Sequence, residues 1–303
     1  MVIQLQTLIV KAFKDLSPLP QRSYLVIIDG LDECHDKAAQ QSILRLLCEA
    51  ITVHKLPLRF LIGSRPESHI RASFDQESLY TITQRVVLDE KFNPGRDIQV
   101  FLRDGFAKIC AENSSIMSHV EKPWPGEGII DLLVQRSSGQ FIYAATVLKF
   151  VGADFFIPTK QLELVLKPDP TAFSDLDHWQ LYTQILSVYP SNVNIVQVLG
   201  IITVCHGELS TASAKVNEDI FGLEKGQLKQ VLRGLLSLMK GKDDGDDDDE
   251  ESDIIPHFAH ASFSDFLFDS SRSGTFHVNQ QEYETQVTIR SFTLIIQLIR
   301  SCR

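Results

Sequence analysis

The segment Tyr24–Ile28 reads YLVII, and the residues Asp29–Glu33 that follow it read DGLDE. Consecutive apolar and β-branched residues are typical of a strand that is buried on both faces of a parallel sheet. Residues Lys37–Val53 carry apolar side chains at helical spacing, and Leu58–Ile62 is a second apolar strand candidate. Because strand, helix and strand follow one another, the sequence predicts a βαβ unit. Val86–Leu88 is a shorter candidate for a third strand.

After Asn93 the pattern becomes helical. Helices are expected at Asp97–Cys110, Gly128–Gln135, Gln140–Val151, Thr159–Leu166, Asp177–Tyr189, Val193–Val204, Thr211–Phe221, Lys225–Leu238, Ser262–Phe268 and Val287–Ile299. A strand at Ile254–Ala259, which follows two helices, suggests a winged-helix module whose hairpin tip is the acidic tract 243–253. The expected fold class is therefore α/β followed by all-α. The expected domains are an α/β domain at 1–93, a helical subdomain at 94–170, a winged-helix-type domain at 171–280 and a C-terminal helix at 281–303.

The charge of the chain excludes some classes of partner. The sequence has 29 basic and 39 acidic residues, a net charge of -10, and Asp243–Asp253 supplies nine of the acidic residues. This balance disfavours phosphate-backbone binding, so no nucleic-acid partner is expected. The five cysteines are odd in number and form no C-x-x-C pair, which argues against a disulfide framework or a zinc site and favours a reducing, cytoplasmic location. No apolar run approaches the length of a membrane span, so no membrane partner is expected.

The acidic residues that follow the first strand are the sharpest local signal. In an open α/β sheet, ligands bind beyond the carboxyl ends of the strands, where the Asp29 carboxylate is expected. Mg²⁺ prefers oxygen ligands and keeps several waters, so a single strand-end carboxylate often holds it. Asp32 and Glu33 could then orient a water for attack on a phosphate. Alternatively, they only begin the following helix, where acidic residues are favoured by the helix dipole.

A basic residue follows the second strand in the same way. The string Leu58–Pro66 reads LRFLIGSRP, and it places Arg65 at the sheet edge beside Asp29. A guanidinium group there could contact a terminal phosphate. The alternatives are an ordinary surface arginine or a salt bridge to Asp29.

With these two strings the sequence resembles the NACHT domains of STAND-type signalling ATPases, which are P-loop NTPases, and particularly the fungal NLR-like sets. The resemblance covers about 90% of the chain. The matching strings are YLVIIDGLDEC at Tyr24–Cys34, LRFLIGSRPE at Leu58–Glu67, SSGQFIYAATVLKFV at Ser137–Val151, DLDHWQLYTQIL at Asp175–Leu186 and PHFAHASFSDFLFDSSRSGTFHV at Pro256–Val278.

The resemblance implies ATP or ADP with Mg²⁺ as cofactors and assigns roles to five residues. It implies that residues 1–93 are a partial NACHT nucleotide-binding domain. In that domain Asp29 is the Walker B ligand of Mg²⁺, while Asp32 and Glu33 serve water activation and acidic support. Arg65 matches the sensor that reads the γ-phosphate. His260 matches the winged-helix histidine that touches the ADP phosphate in the closed state. Considered alone, His260 is a histidine between a strand and a helix, for which a structural role is the alternative.

Two features depart from the family pattern. The sequence has no G-x-x-x-x-G-K-[ST] phosphate loop, and only 28 residues precede Asp29. Little or no ATP hydrolysis is therefore expected. In addition, Phe141 occupies the position of the family's adenine-contacting proline, where an aromatic ring could still stack on the base.

Three hypotheses follow for the function. The chain could be the truncated switch region of a NACHT-type signalling ATPase of the fungal innate-immunity or programmed-cell-death type. It could instead be a nucleotide-independent module that regulates a full-length NACHT relative through protein contacts. The third hypothesis is an incomplete gene model or a pseudogene product. The expected partners are proteins, either further copies of the chain or NACHT relatives.

Overall fold

The structure is a computed structural model that describes residues 22–34, 36–88, 92–154, 156–167, 179–188, 195–204, 222–239 and 258–301, with a few isolated positions elsewhere. It is mostly helical, with a small parallel sheet. The chain divides into two compact units, residues 1–88 and 89–303, and each is described by itself. The finer domain limits at 93, 170 and 280 stay predictions.

The first unit is built on a βαβ arrangement. Strands β1 (Tyr24–Ile28) and β2 (Leu58–Ile62) pair in parallel, and helix α1 (Lys37–Thr52) connects them. Two short helices follow β2, namely α2 (Ser68–Phe74) and α3 (Glu77–Tyr80). The βαβ unit and the parallel pairing are therefore confirmed.

One face of this sheet is covered and the other is bare. Because side chains alternate along a strand, Leu58, Phe60 and Ile62 share one face, where they pack with residues of α1. On the opposite face, Leu25, Ile27 and Leu61 are 62%, 66% and 57% exposed. The expectation that β1 is buried on both faces is therefore wrong. The reason is that α1 covers one face only, and no described element covers the other.

The third strand candidate is also wrong. Residues Val86–Leu88 form no strand, and their side chains are 63%, 72% and 86% exposed. A strand needs a neighbour for its backbone hydrogen bonds, and in the described part of the chain the sheet contains β1 and β2 alone. The apolar composition of Val86–Leu88 is therefore not sufficient for a strand, because no described strand lies beside these residues.

The described residues of the second unit form helices joined by turns and loops, with one isolated bridge. Its helices are α4 (Pro94–Glu112), α5 (Glu127–Ser137), α6 (Phe141–Val151), α7 (Pro158–Leu166), α8 (Trp179–Leu186), α9 (Ile195–Val204), α10 (Gln227–Gly234), α11 (Ala261–Phe268), α12 (Ser270–Ser273) and α13 (Gln280–Ser301). Most of the helical predictions are confirmed with small shifts at the ends. The last helix, however, begins at Gln280 instead of Val287, and the helix expected at Lys225–Leu238 ends at Gly234, before a 3-10 turn at Leu236–Leu238. The short helix α12 was not predicted. The expected helix at Thr211–Phe221 lies outside the described residues.

The core of the second unit follows from helical periodicity. In α4, Ile98, Leu102 and Phe106 lie four residues apart and are fully buried, so they form one stripe on one side of the helix. They belong to the same apolar cluster as Leu133 of α5 and Val147 of α6. This cluster extends to the aromatic residues of α11 and α8.

The winged-helix module stays a prediction. The described part of its expected hairpin is one antiparallel bridge between Met239 and Phe258. The acidic tract 243–253 and most of the expected strand Ile254–Ala259 lie outside the described residues. Among the helices described, none is long and apolar enough to cross a membrane.

Candidate functional site

The loop that follows β1 is held against the end of β2. We call residues Asp29–Cys34 the acidic loop. Gly30 has φ +67°, a left-handed conformation that glycine adopts without strain, and it begins a 3-10 turn at Leu31–Glu33. The backbone N–H of Leu31 donates to the carbonyl of Gly63 at 3.1 Å, and the N–H of Gly63 donates to the carbonyl of Ile28 at 2.8 Å. These two hydrogen bonds join the ends of both strands at the sheet edge where ligand groups were expected.

Asp32 is the centre of the contacts between the two strand ends. Its Oδ1 accepts hydrogen bonds from the backbone N–H of Arg65 at 2.9 Å and from Ser64 Oγ at 3.2 Å. Its Oδ2 lies 3.6 Å from Arg65 Nε, and the Asp32 side chain is 10% exposed. Arg65 therefore lies at the expected sheet edge, and its described ion pair joins it to Asp32, whereas the sequence suggested Asp29. A carboxylate with these partners is suited to hold the loop after β2, which differs from the water-activating role expected for it.

Asp29 and Glu33 are both exposed. The Asp29 carboxylate lies so near Gly63 that a Cβ atom at this glycine would be 2.6 Å from Asp29 Oδ1. Only glycine allows this approach without a shift, so Gly63 is a site residue that the sequence analysis missed. No group of three or more histidine, cysteine or acidic residues that could hold a metal occurs among the described residues. The Mg²⁺-binding role expected for Asp29 stays a prediction.

Gln40 of α1 is a second residue that the sequence analysis missed. Its side chain is 4% exposed, and its Nε2 donates to the carbonyls of Asp32 at 3.0 Å and Cys34 at 2.7 Å. The signal for it was present in the sequence. Gln40 precedes Leu44 and Leu47 at helical spacing, so it is a polar residue on the apolar face of α1.

Phe141 and His260, which complete the expected site, belong to the second unit. Phe141 is the first residue of α6, is 44% exposed, and contacts the ring of Phe101 edge-to-face with centroids 5.8 Å apart. His260 precedes α11 and caps it, since its Nδ1 accepts from the backbone N–H of Ser262 at 3.1 Å. His260 therefore has a structural role as the N-terminal cap of α11, which was the alternative expected from the sequence.

The cap also fixes the protonation pattern of His260. A backbone N–H can only donate, so Nδ1 must be the unprotonated nitrogen. Ser262 Oγ lies 2.7 Å from the same Nδ1 and 2.8 Å from the hydroxyl of Tyr182, so the three side chains form a hydrogen-bonded chain. Neutral His260 therefore carries its proton on Nε2.

The comparisons with known proteins concern the first unit. Residues 3–65 match the family model described as Nephrocystin 3, N-terminal. No curated protein and no solved structure matches the chain. The matched segment includes β1, the acidic loop, α1 and β2, and covers about a fifth of the chain. The Nephrocystin 3 family is related only loosely to NACHT-containing proteins, so the NACHT assignment stays a proposal.

Proposed function

We propose that this chain is part of a NACHT-type signalling switch whose first unit supplies the Mg²⁺-binding and phosphate-sensing edge. One observation carries the proposal. Asp29 and Arg65 follow two neighbouring parallel strands, and the acidic loop is fastened to the end of β2 through Asp32. Carboxylates and a cation gathered at the carboxyl edge of a parallel sheet suit a nucleotide with its Mg²⁺.

Each residue has a proposed task. Asp29 binds the ion, Arg65 contacts the terminal phosphate while Asp32 holds its backbone, and Glu33 supplies further negative charge beside the ion. The roles that the resemblance gives to His260 on the ADP phosphate and to Phe141 on the base concern the second unit and stay predictions. A bound Mg²⁺ would supply charge neutralisation at the phosphates. Because the sequence carries no G-x-x-x-x-G-K-[ST] phosphate loop, the proposed activity is nucleotide-dependent switching with little or no ATP hydrolysis.

The test is a titration of the purified chain with a fluorescent ADP analogue in the presence and absence of Mg²⁺. The variant Asp29→Asn is expected to weaken the Mg²⁺-dependent binding about tenfold or more, because it replaces the anionic ligand by a neutral amide. The matched control is Glu77→Gln, which removes a charge from α3 of the same unit and is expected to leave binding unchanged. Binding that is insensitive both to Mg²⁺ and to Asp29→Asn would contradict the proposal, and so would ATP turnover at the rate of an intact relative.

A second candidate function has its own supporting observation. The bare sheet face formed by Leu25, Ile27 and Leu61 is an apolar surface of the kind that marks contacts between proteins. It favours a nucleotide-independent module that binds a full-length NACHT relative. For this candidate, association measured by pull-down should persist without Mg²⁺-ATP and in Asp29→Ala, but be lost in Ile27→Lys. Loss of association on removing Mg²⁺-ATP would favour the switch instead.

A further inference from the structure

Both N–H groups of the Gln40 side chain donate hydrogen bonds to the acidic loop. A side-chain amide nitrogen carries two N–H groups. In Gln40 these point to two main-chain carbonyls of the acidic loop, those of Asp32 and Cys34. Because both acceptors are backbone atoms, Gln40 constrains the path of the loop whatever side chains the loop carries.

The third polar group of Gln40 connects it to the element that follows β2. Its Oε1 is hydrogen-bonded to Nε2 of His69, which lies in α2. An amide oxygen can only accept, so His69 must carry a proton on Nε2. Gln40 therefore links α1, α2 and the acidic loop.

We propose that Gln40 is the positioning residue of the acidic loop, which it holds so that Asp29 lies against Gly63 and Asp32 reaches the backbone of Arg65 before any ligand binds. What the loop binds rests on the function proposed above, whereas the positioning itself does not. A glutamine in this place is costly unless all its groups are satisfied, because an unbonded amide on the apolar face of α1 would lose its hydration. Gln40 makes three hydrogen bonds here, and an apolar residue of similar size could make none of them.

The decisive variant is Gln40→Glu, which has nearly the same shape but turns two donors into acceptors that face carbonyl oxygens. The control is Gln41→Glu, the same change at the exposed next position of α1. The readout is amide hydrogen exchange of the full chain, followed residue by residue. Exchange at Leu31 and Gly63, whose N–H groups join the two strand ends, is expected to accelerate about ten- to a hundredfold in Gln40→Glu and to stay unchanged in Gln41→Glu.

A pH series separates positioning from general loss of structure. Burial and the facing carbonyl oxygens raise the pKa of the new carboxyl group above the ordinary glutamic acid value of about 4.3. As the pH falls through that raised pKa, the group is protonated and regains one donor, so loop protection, corrected for the intrinsic pH dependence of exchange, should partly return in Gln40→Glu alone. If Gln40→Glu fails to fold, His69→Phe removes only the third bond and should loosen the same amides to a smaller extent. Equal loop exchange in the two glutamate variants would overturn the proposal, as would a uniform loss of protection across α1 and β2. Failure of the wild-type chain to bind the ADP analogue would instead count against the proposed function alone.

Discussion

Replacing Phe266 by alanine is expected to lower the free energy of unfolding of the second unit by about 3–5 kcal/mol. Phe266 of α11 is fully buried and stacks on Trp179 with ring centroids 6.4 Å apart. Its ring also lies 5.4 Å from that of Tyr182 and 6.1 Å from that of Phe263. Truncation removes the contacts of a whole ring and leaves a cavity between helices that are not adjacent in sequence.

Tryptophan fluorescence during urea unfolding measures this effect. The chain has two tryptophans, Trp124 and Trp179, and both lie in the second unit, so the signal reports on that unit. The control is Phe268→Ala on the same helix, where the ring is 37% exposed and the expected cost is below about 1 kcal/mol. Equal losses in the two variants would contradict the described packing of α11.

The second large effect is expected in the first unit. Asp32→Ala should destabilise the connection between the acidic loop and the loop after β2 by about 1.5–3 kcal/mol, because hydrogen bonds to a charged group are lost. The backbone N–H of Arg65 and the hydroxyl of Ser64 both lose the acceptor Oδ1. Hydrogen exchange at residues 63–65 is the measurement, since the first unit contains no tryptophan.

The control for Asp32→Ala is Asp75→Ala. Asp75 also pairs with an arginine, at 2.8 Å from Arg85 Nη2, but both side chains are largely exposed. Exposed ion pairs contribute little because water screens them. If Asp75→Ala accelerated hydrogen exchange at residues 63–65 as much as Asp32→Ala does, Asp32 would not be the main contact between the two strand ends.

The elements of the first unit could be predicted from the sequence because each has a local signal. The apolar runs of β1 and β2 and the periodicity of α1 require no knowledge of distant residues. The exposure of Leu25 and Ile27 could not be predicted in the same way. Burial depends on what packs against a strand, and the composition of the strand does not say whether a covering layer is present.

The residues of the candidate site likewise include some that have a local signal in the sequence and some whose role depends on contacts with other segments. Asp29 and Arg65 could be placed because the ends of parallel strands meet at one edge of a sheet. Gln40 stands out in the sequence only as a polar residue on an apolar helix face, and its role depends on how the acidic loop folds against α1. Gly63 has no local signal, because its role depends on the approach of the Asp29 carboxylate. The choice of Asp32 as the partner of Arg65 likewise depends on the turn that begins at Gly30, and such turn geometry is not encoded in residue spacing.

The acidic loop also has a consequence for how the two strands align. Strand register is normally specified by a difference between an apolar and a polar face, but β1 is apolar on both. A slip of one residue would therefore cost little in the sheet itself. It would, however, bring a residue with a Cβ atom to the Asp29 carboxylate in place of Gly63 and break the bond from Leu31. Asp29, which is proposed to bind Mg²⁺, is thus also one of the residues that oppose a slip of the strands. Substitutions in the acidic loop are therefore expected to affect strand register as well.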